Sequence, residues 1–436
     1  MINVSSHGIW LEESGPVSFK DWVGDRRISS YGTNAGADEL PFQAWRRFKE
    51  AFAPELIQRA VLESSIPVSR CVDPFGGSGT TALACQFLGV HPVTIEVNPY
   101  LADLIEAKLT MYDVDTLARD FATLVRAANK RRLSPHKFYR TAPATFIEPG
   151  VNDRWIFDAP VASRLAAYVA CLPLIDNLPN QRLLRVLLGG VLIDLSNVIV
   201  SGKGRRYRRG WQYRPKTPID LDEAFCKAVE KAVENILRYA RRVEHRFTVL
   251  RGDSRRLLKK VKPVDIAIFS PPYPNSFDYT DVYNVELWGL RYLQQPDHNT
   301  RLRMATISSH VQIKRNFLPP PSESRLLKRT VRALQLERDN LWDSRIPDMV
   351  GSYFADMVQI LKAVANRLPA RGQIWMVVGD SRYAGVPVPV ADILAELAPC
   401  TGCRLVTKEP FRSMRTSVQQ GNSPSLTETL LVLDAR

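Results

Sequence analysis

Val68-Ser-Arg-Cys-Val-Asp-Pro-Phe-Gly-Gly-Ser-Gly-Thr-Thr81 passes from a short apolar strand, Val68 to Val72, straight into a glycine-rich turn. A helix follows through Ala82 to Leu88 and is closed by Gly89. Next come a second strand, Pro92 to Val97, and a second helix from Pro99 to about Met111. This β-α-β-α order opens a doubly wound parallel sheet of the α/β class. The glycines let the backbone bend sharply and approach a ligand, and the helix start offers free N–H groups. No Lys-Ser/Thr pair follows them, so the turn is not a P-loop; Gly76, Gly77 and Gly79 also have the wrong spacing for G-x-G-x-x-G. Glu96, near the end of the second strand, suits a ribose whose two hydroxyls donate to a carboxylate. A lone glycine turn is only a tight loop; paired with Glu96 it points to a nucleoside.

The alternation then stops. Residues 112–246 carry helical periodicities (Leu117–Arg132, Val161–Leu172, Gln181–Val200, Leu221–Val243) without strands between them, and read as an inserted mainly helical domain. Strands resume at Phe247–Leu250 and Val264–Phe269. A helix at Tyr353–Leu368, a strand at Ile374–Val378, a helix at Val390–Leu397 and strands at Arg404–Thr407 and Thr429–Leu433 complete the core. Four segments result: an N-terminal arm, 1–39, polar and turn-rich; a first core part, 40–111, beginning with helical periodicity over Leu40–Leu62; the insertion, 112–246; and a second core part, 247–436. Residues 295–348, polar and charged, form a possible second insertion that contacts DNA.

The 436 residues include 59 Lys and Arg against 45 Asp and Glu, a formal net charge of +14, with 45% hydrophobic residues. That balance is ordinary for a globular protein, excludes wholesale disorder, and points to a polyanionic partner such as nucleic acid. The most apolar long stretch, Leu183 to Val200, is broken by Arg185, Asp194, Ser196 and Asn197, so no membrane span is expected. The first residues lack a basic start and an apolar core, so no secretory signal is expected and the location expected is cytoplasmic. Six cysteines are too few for a disulfide scaffold, and Cys400-x-x-Cys403 lacks the second pair that a structural zinc requires, so no metal is expected.

Three motifs together carry a resemblance: Asp73-Pro-Phe-Gly-Gly-Ser-Gly-Thr-Thr81, Thr94-Ile-Glu-Val-Asn-Pro-Tyr100, and Phe269-Ser-Pro-Pro-Tyr273. The chain resembles the amino-group DNA methyltransferases, which carry a methyl group from S-adenosylmethionine to exocyclic nitrogens of cytosine or adenine. The likeness is close over 40–110 and 247–290 and looser over 350–436. It implies a Rossmann-like methyltransferase sheet. It also implies cofactor contacts at Asp73, Pro74, Phe75, Gly76, Gly77, Ser78, Gly79, Thr80, Glu96, Asn98, Asp253 and Ser254. Phe52-Ala-Pro-Glu-Leu56 would help to enclose the methionine end, and Asp253 would meet the adenine amino group. Ser270, Pro271, Pro272 and Tyr273 would be catalytic on a base flipped from the duplex. Here the cofactor motifs precede the catalytic one, whereas many cytosine-N4 enzymes have the reverse order.

Gly202 to Lys216 interleaves Lys203, Arg205, Arg206, Arg208, Arg209 and Arg214 with Tyr207, Trp211 and Tyr213, and contains no acid. Guanidinium groups suit phosphates and aromatic rings stack on bases, so the run is expected to bind double-stranded DNA; a solvated charged face is the plain alternative. A weaker basic segment is Arg126 to Arg132. Pro399-Cys400 lies far from the catalytic strand, so a cytosine-C5 thiolate is not expected. His245 and His310 have no partner that the sequence identifies. The expected activity is N4 methylation of cytosine, in restriction–modification with a cognate endonuclease or as an orphan modifier. Adenine-N6 methylation, which the family more often couples to Asp at the position of Ser270, is the alternative. RNA or protein-glutamine methylation and a silent cofactor-sensing DNA-binding protein are more distant ones.

Overall fold

The computed structural model describes residues 15–32, 36–37, 39–46, 52–201, 204–414 and 426–436. In chain order its strands are β1 Arg70–Asp73, β2 His91–Glu96, β3 Val198–Ser201, β4 Gly204–Tyr207, β5 Thr248–Arg251, β6 Ile266–Phe269, β7 Gln373–Gly379, β8 Ser381–Tyr383, β9 Val386–Val388, β10 Cys403–Met414 and β11 Leu426–Ala435. Among the described residues seven of them form one sheet in the order β5-β2-β1-β6-β7-β11-β10. The pairs from β5 through β7 are parallel, and β11 runs antiparallel to both of its neighbours. From β1 the chain goes first to β2 on one side and later to β6 on the other. The strand order therefore reverses at β1, and ligands of such sheets bind beyond the carboxyl ends of the strands at that point.

Strand residues alternate between two cores, as the two-residue period requires. Ile266, Ile268, Trp375, Val377, Leu430 and Val432 face one cluster, and Ala267, Phe269, Ile374, Met376, Leu431 and Leu433 the other. The first face is covered by the helices Thr80–Phe87 and Pro99–Leu109, and residues 112–246 extend the same core. Their helices are amphipathic. Pro218–Arg238 buries Leu221, Phe225, Val229, Ala232 and Ile236 at three- and four-residue steps, and starts at a capping box between Thr217 and Asp220. The second face is covered by Arg325–Leu336, Ile346–Ala365 and Val390–Leu397.

Three sequence expectations differ from the structure. Among the described residues, the helix expected over Leu40–Leu62 is a 3-10 turn at Gln43–Trp45 and a helix at Glu55–Leu62, with Pro54 at its N-cap; Phe48 lies outside the described residues. The helix expected to run to Val200 ends at Val191, and the β-branched Val198-Ile-Val200 pairs instead with Gly204–Tyr207 as a hairpin. Residues 295–348, read as a polar and charged possible insertion, contain the helices Pro296–Ala305 and Arg325–Leu336, and Leu327, Val331 and Leu334 enter the second core.

Candidate active site

The carboxyl ends of β1, β2 and β6 deliver Asp73, Glu96 and Ser270 to one place. After β1 the Gly76 N–H donates to the Ile95 carbonyl at 3.0 Å, laying the turn against β2. A Cβ on Gly76 would stand 2.3 Å from Thr94 Cγ2, so only glycine permits this approach. Gly77 and Gly79 have φ of 52° and 81°, left-handed values that glycine adopts freely. The Glu96 carboxylate holds the turn, accepting the Gly77 N–H on Oε2 and the Asn98 N–H on Oε1, each at 2.7 Å. Burial pushes both Glu96 and Asp73 up to about 7, although backbone N–H groups favour their charged forms.

Beneath the turn lies Lys108, which no sequence motif marks. Its ammonium is fully buried and donates at 2.7 Å to both the Ser78 carbonyl and Gln43 Oε1. Gln43 in turn donates to Thr80 Oγ1 at 3.1 Å. Burial lowers the Lys108 pKa to about 7. Nothing local in the sequence signals this brace, since Gln43 and Lys108 are 65 residues apart.

Gly252 N–H donates to the Glu96 carbonyl at 2.9 Å, bringing Asp253 and Ser254 beside the turn; the Ser254 hydroxyl donates to the Pro74 carbonyl. Asp253 has a partner that the sequence does not announce: Arg255 Nη2 lies 2.8 Å from Asp253 Oδ2 and its Nη1 2.9 Å from the buried Asp356.

After β6, the Ser270 hydroxyl donates to the Val377 carbonyl at 3.0 Å. The Tyr273 hydroxyl lies 3.3 Å from Ser270 Oγ and donates to Glu428 Oε1 at 2.8 Å. Glu428, a buried acid on β11, is another neighbour without a sequence signal.

One cavity of about 380 Å³ joins these groups. It is lined by Phe52, by Asp73 to Ser78 and Thr80, and by Glu96, Asn98, Asp253 and Ser254. Ser270 to Tyr273 and Glu428 complete that part of its wall. Of the residues expected at the cofactor, Gly79 is not on the wall, and of Phe52–Leu56 only Phe52 is; the Gly79 N–H donates to the Gly76 carbonyl at 2.8 Å and shapes the turn. Further wall comes from residues of 275–283 and 305–310, which were not expected from the sequence. The cavity falls in the size range of small-molecule sites. At the end formed by the glycine turn, Asn98 Nδ2 is buried without a partner among the described residues, and Glu96 offers acceptor lone pairs. A ligand bearing a ribose and an amino acid fits that donor set.

The basic run divides. Arg206, Arg209, Tyr213 and Arg214 are exposed. Arg208 instead donates Nε to the Ser196 carbonyl at 3.1 Å and Nη2 to the Ile193 carbonyl at 2.8 Å, and Arg205 lies 3.2 Å from Asp281. Trp211 is buried against Trp155 at 4.7 Å between ring centroids, so it is not available to stack on a base. Tyr207 packs on Trp211. Lys203 lies outside the described residues. Within β4 the alternation of the hairpin leaves Arg206 exposed between the half-buried Arg205 and Tyr207, and beyond it the division follows the contacts of Arg208 and Trp211.

A family model described as DNA methylase, for N6 and N4 methyltransferases, matches residues 8–107. The chain is 24% identical over 404 residues to the Type II methyltransferase M.AvaI of Nostoc sp., covering 86% of this chain and 80% of that protein. It is 22% identical over 453 residues to the Type II methyltransferase M.BsoBI of Geobacillus stearothermophilus, covering 92% of this chain and 84% of that one. Among solved structures, the rRNA methyltransferase aviRa from Streptomyces viridochromogenes aligns at 12% identity and a TM-score of 0.29, over 88% of this chain and 85% of that chain, a likeness too slight to carry an argument. With the parallel-dominated sheet, the glycine turn and the Ser-Pro-Pro-Tyr turn at one cavity, these similarities support the amino-group DNA methyltransferase family, whose methyl donor is S-adenosylmethionine.

Proposed function

We propose that the protein methylates the exocyclic N4 amine of cytosine in double-stranded DNA, at a defined site. The observation that supports this reading is the shared cavity: residues suited to a nucleoside cofactor and the Ser270–Tyr273 turn line one wall. Bound S-adenosylmethionine supplies a sulfonium methyl group open to in-line attack. Phe75 to Thr80 would hold its methionine end, Glu96 and Asn98 its ribose, and Asp253 and Ser254 would lie by its adenine.

The cytosine amine is a weak nucleophile because its lone pair is delocalised into the ring. Acceptors that hold its N–H groups draw that lone pair out of the ring. Ser270 suits the task because its own proton goes to the Val377 carbonyl, leaving oxygen lone pairs as acceptors. The Pro271 carbonyl would be the second acceptor, Pro272 would fix the loop, and the Tyr273 ring would stack on a base flipped out of the duplex. The work is positioning and electrostatic stabilisation, with no covalent enzyme intermediate. Serine rather than aspartate at position 270 is what favours cytosine over adenine.

Residues 112–246, with the exposed Arg206, Arg209 and Arg214, would contact DNA, and residues 295–348 would approach the target base. The relatives' description as Type II methyltransferases favours a restriction–modification setting with a cognate endonuclease. Mass spectrometry of nucleosides from unmethylated DNA incubated with the protein and S-adenosylmethionine tests the reading. N4-methylcytosine is the expected product; N6-methyladenine would move the assignment to adenine, and no methylated base would overturn it.

A further inference from the structure

His310 lines the same cavity as Ser270 and Tyr273, yet nothing in the reaction above uses it. Its side chain is 1% exposed, and neither ring nitrogen has a hydrogen-bond partner among the described residues. The Asp278 carboxylate has Oδ1 4.0 Å from Nε2, beyond hydrogen-bond range. Asp278 is itself engaged by Arg303 at 2.7 Å and by the Thr280 N–H at 2.9 Å. Gln312, two residues on, gives its Nε2 to the Ser276 carbonyl at 2.8 Å. A buried donor and acceptor that stay unpaired are costly, so their place on a cavity wall calls for a ligand.

The imidazole is also held rigidly beside the catalytic turn. Ser276, three residues after Tyr273, donates its N–H to the Ser309 carbonyl at 3.0 Å and its Oγ accepts the Val311 N–H at 3.4 Å. Burial, with Arg315 and Arg303 nearby, lowers the His310 pKa to about 4 against the opposing influence of Asp278 and the Gln312 side chain. At neutral pH the ring is therefore uncharged and offers one N–H donor and one acceptor nitrogen.

We propose that His310 is a specificity-determining residue whose imidazole hydrogen-bonds the ring edge of the target base while Ser270 to Tyr273 hold its amine. The assignment rests on the flipped-base reading above. A cytosine held by its amine still presents ring N3 and O2 as acceptors, and a neutral imidazole N–H can donate to one of them. Removing the donor would leave that acceptor buried and unpaired, which is the stronger form of discrimination available to a site.

The test uses the full chain as His310→Ala and His310→Gln. It measures calorimetric affinity for S-adenosylmethionine, melting temperature, and steady-state methylation of unmethylated DNA. The alanine variant should lose about tenfold or more in kcat/KM for DNA. Its cofactor affinity should stay within about twofold of the parent. The glutamine variant, which keeps a donor, should recover part of the loss. Parental rates in His310→Ala, equal losses in both variants, or loss of cofactor affinity together with rate would each overturn the assignment. If His310→Ala melts far below the parent, His310→Phe, which keeps volume without hydrogen-bonding atoms, takes its place and must be slow. A parent that methylates no base would instead overturn the flipped-base reading itself, a result none of the variant outcomes resembles.

Discussion

Glu96 Oε2 accepts the backbone N–H of Gly77 at 2.7 Å, so the acid at the end of β2 holds the glycine turn that follows β1. The carboxylate fixes the turn, and in the proposed reading its remaining lone pairs would be offered to a ribose. Replacing Glu96 by alanine removes charge-assisted hydrogen bonds worth about 1.5–3 kcal/mol each. Affinity for S-adenosylmethionine should fall by at least about tenfold, measured by calorimetry; unchanged affinity would dispose of the ribose assignment.

The same residue gives a pH test of the cofactor-free protein. Burial raises the folded-state pKa of Glu96 from 4.5 to about 7, so between those values the folded state binds more protons than the unfolded one. Its contribution therefore favours folding most below pH 4.5 and is lost as pH rises through 7. The effect is worth up to about 3 kcal/mol at a fully buried site. His310 acts in the opposite sense between about 4 and 6.5, so the diagnostic is the difference between parent and Glu96→Gln. Melting temperatures should show the parent losing stability relative to Glu96→Gln from pH 5 to pH 8. A constant difference would mean that Glu96 titrates normally.

Tyr273 is anchored at its tip, by the hydroxyl donated to Glu428, and its ring lies on the cavity wall. Tyr273→Ala removes stacking worth about 1–3 kcal/mol and should slow methylation with cofactor affinity preserved. Tyr273→Phe keeps the ring and should be the milder change. Ser270→Ala should lower kcat more than DNA affinity. Parental methylation rates in both Ser270→Ala and Tyr273→Ala would remove the catalytic assignment.

The divided basic run predicts two different phenotypes. Changing Arg206, Arg209 and Arg214 together to glutamine should weaken DNA binding across sequences. The slope of log affinity against log salt should drop by about 0.9 for each phosphate that is no longer neutralised. Arg208→Gln should instead destabilise the fold, because the Ser196 and Ile193 carbonyls lose their guanidinium donor at about 1–3 kcal/mol. A salt slope equal to the parent's in the triple variant would mark those arginines as a solvated face.

What could be read along the chain was chemistry that closes within a few residues. The strand into Asp73, the glycines that tolerate left-handed backbone, Glu96 at the end of the next strand and the Ser270–Tyr273 turn all declare themselves locally. Backbone sterics and two-residue burial act over that range. That these strands belong to one doubly wound parallel sheet followed from the same alternation, together with the family resemblance. The residues that complete the site obey another rule. Lys108 meets Gln43, Tyr273 meets Glu428, and Arg208 turns back onto the carbonyls of 193 and 196. His310 stands at the cavity without a hydrogen-bond partner among the described residues, where the turn after Tyr273 is bonded to residues 309 and 311. Those partnerships span up to 155 residues and are chosen by packing and by the need to pair buried polar atoms, which no local pattern encodes. For the same reason the basic residues between 203 and 216 look alike in sequence, and only tertiary contacts such as those of Arg208 with the carbonyls of 193 and 196 separate those holding the chain together from those facing water.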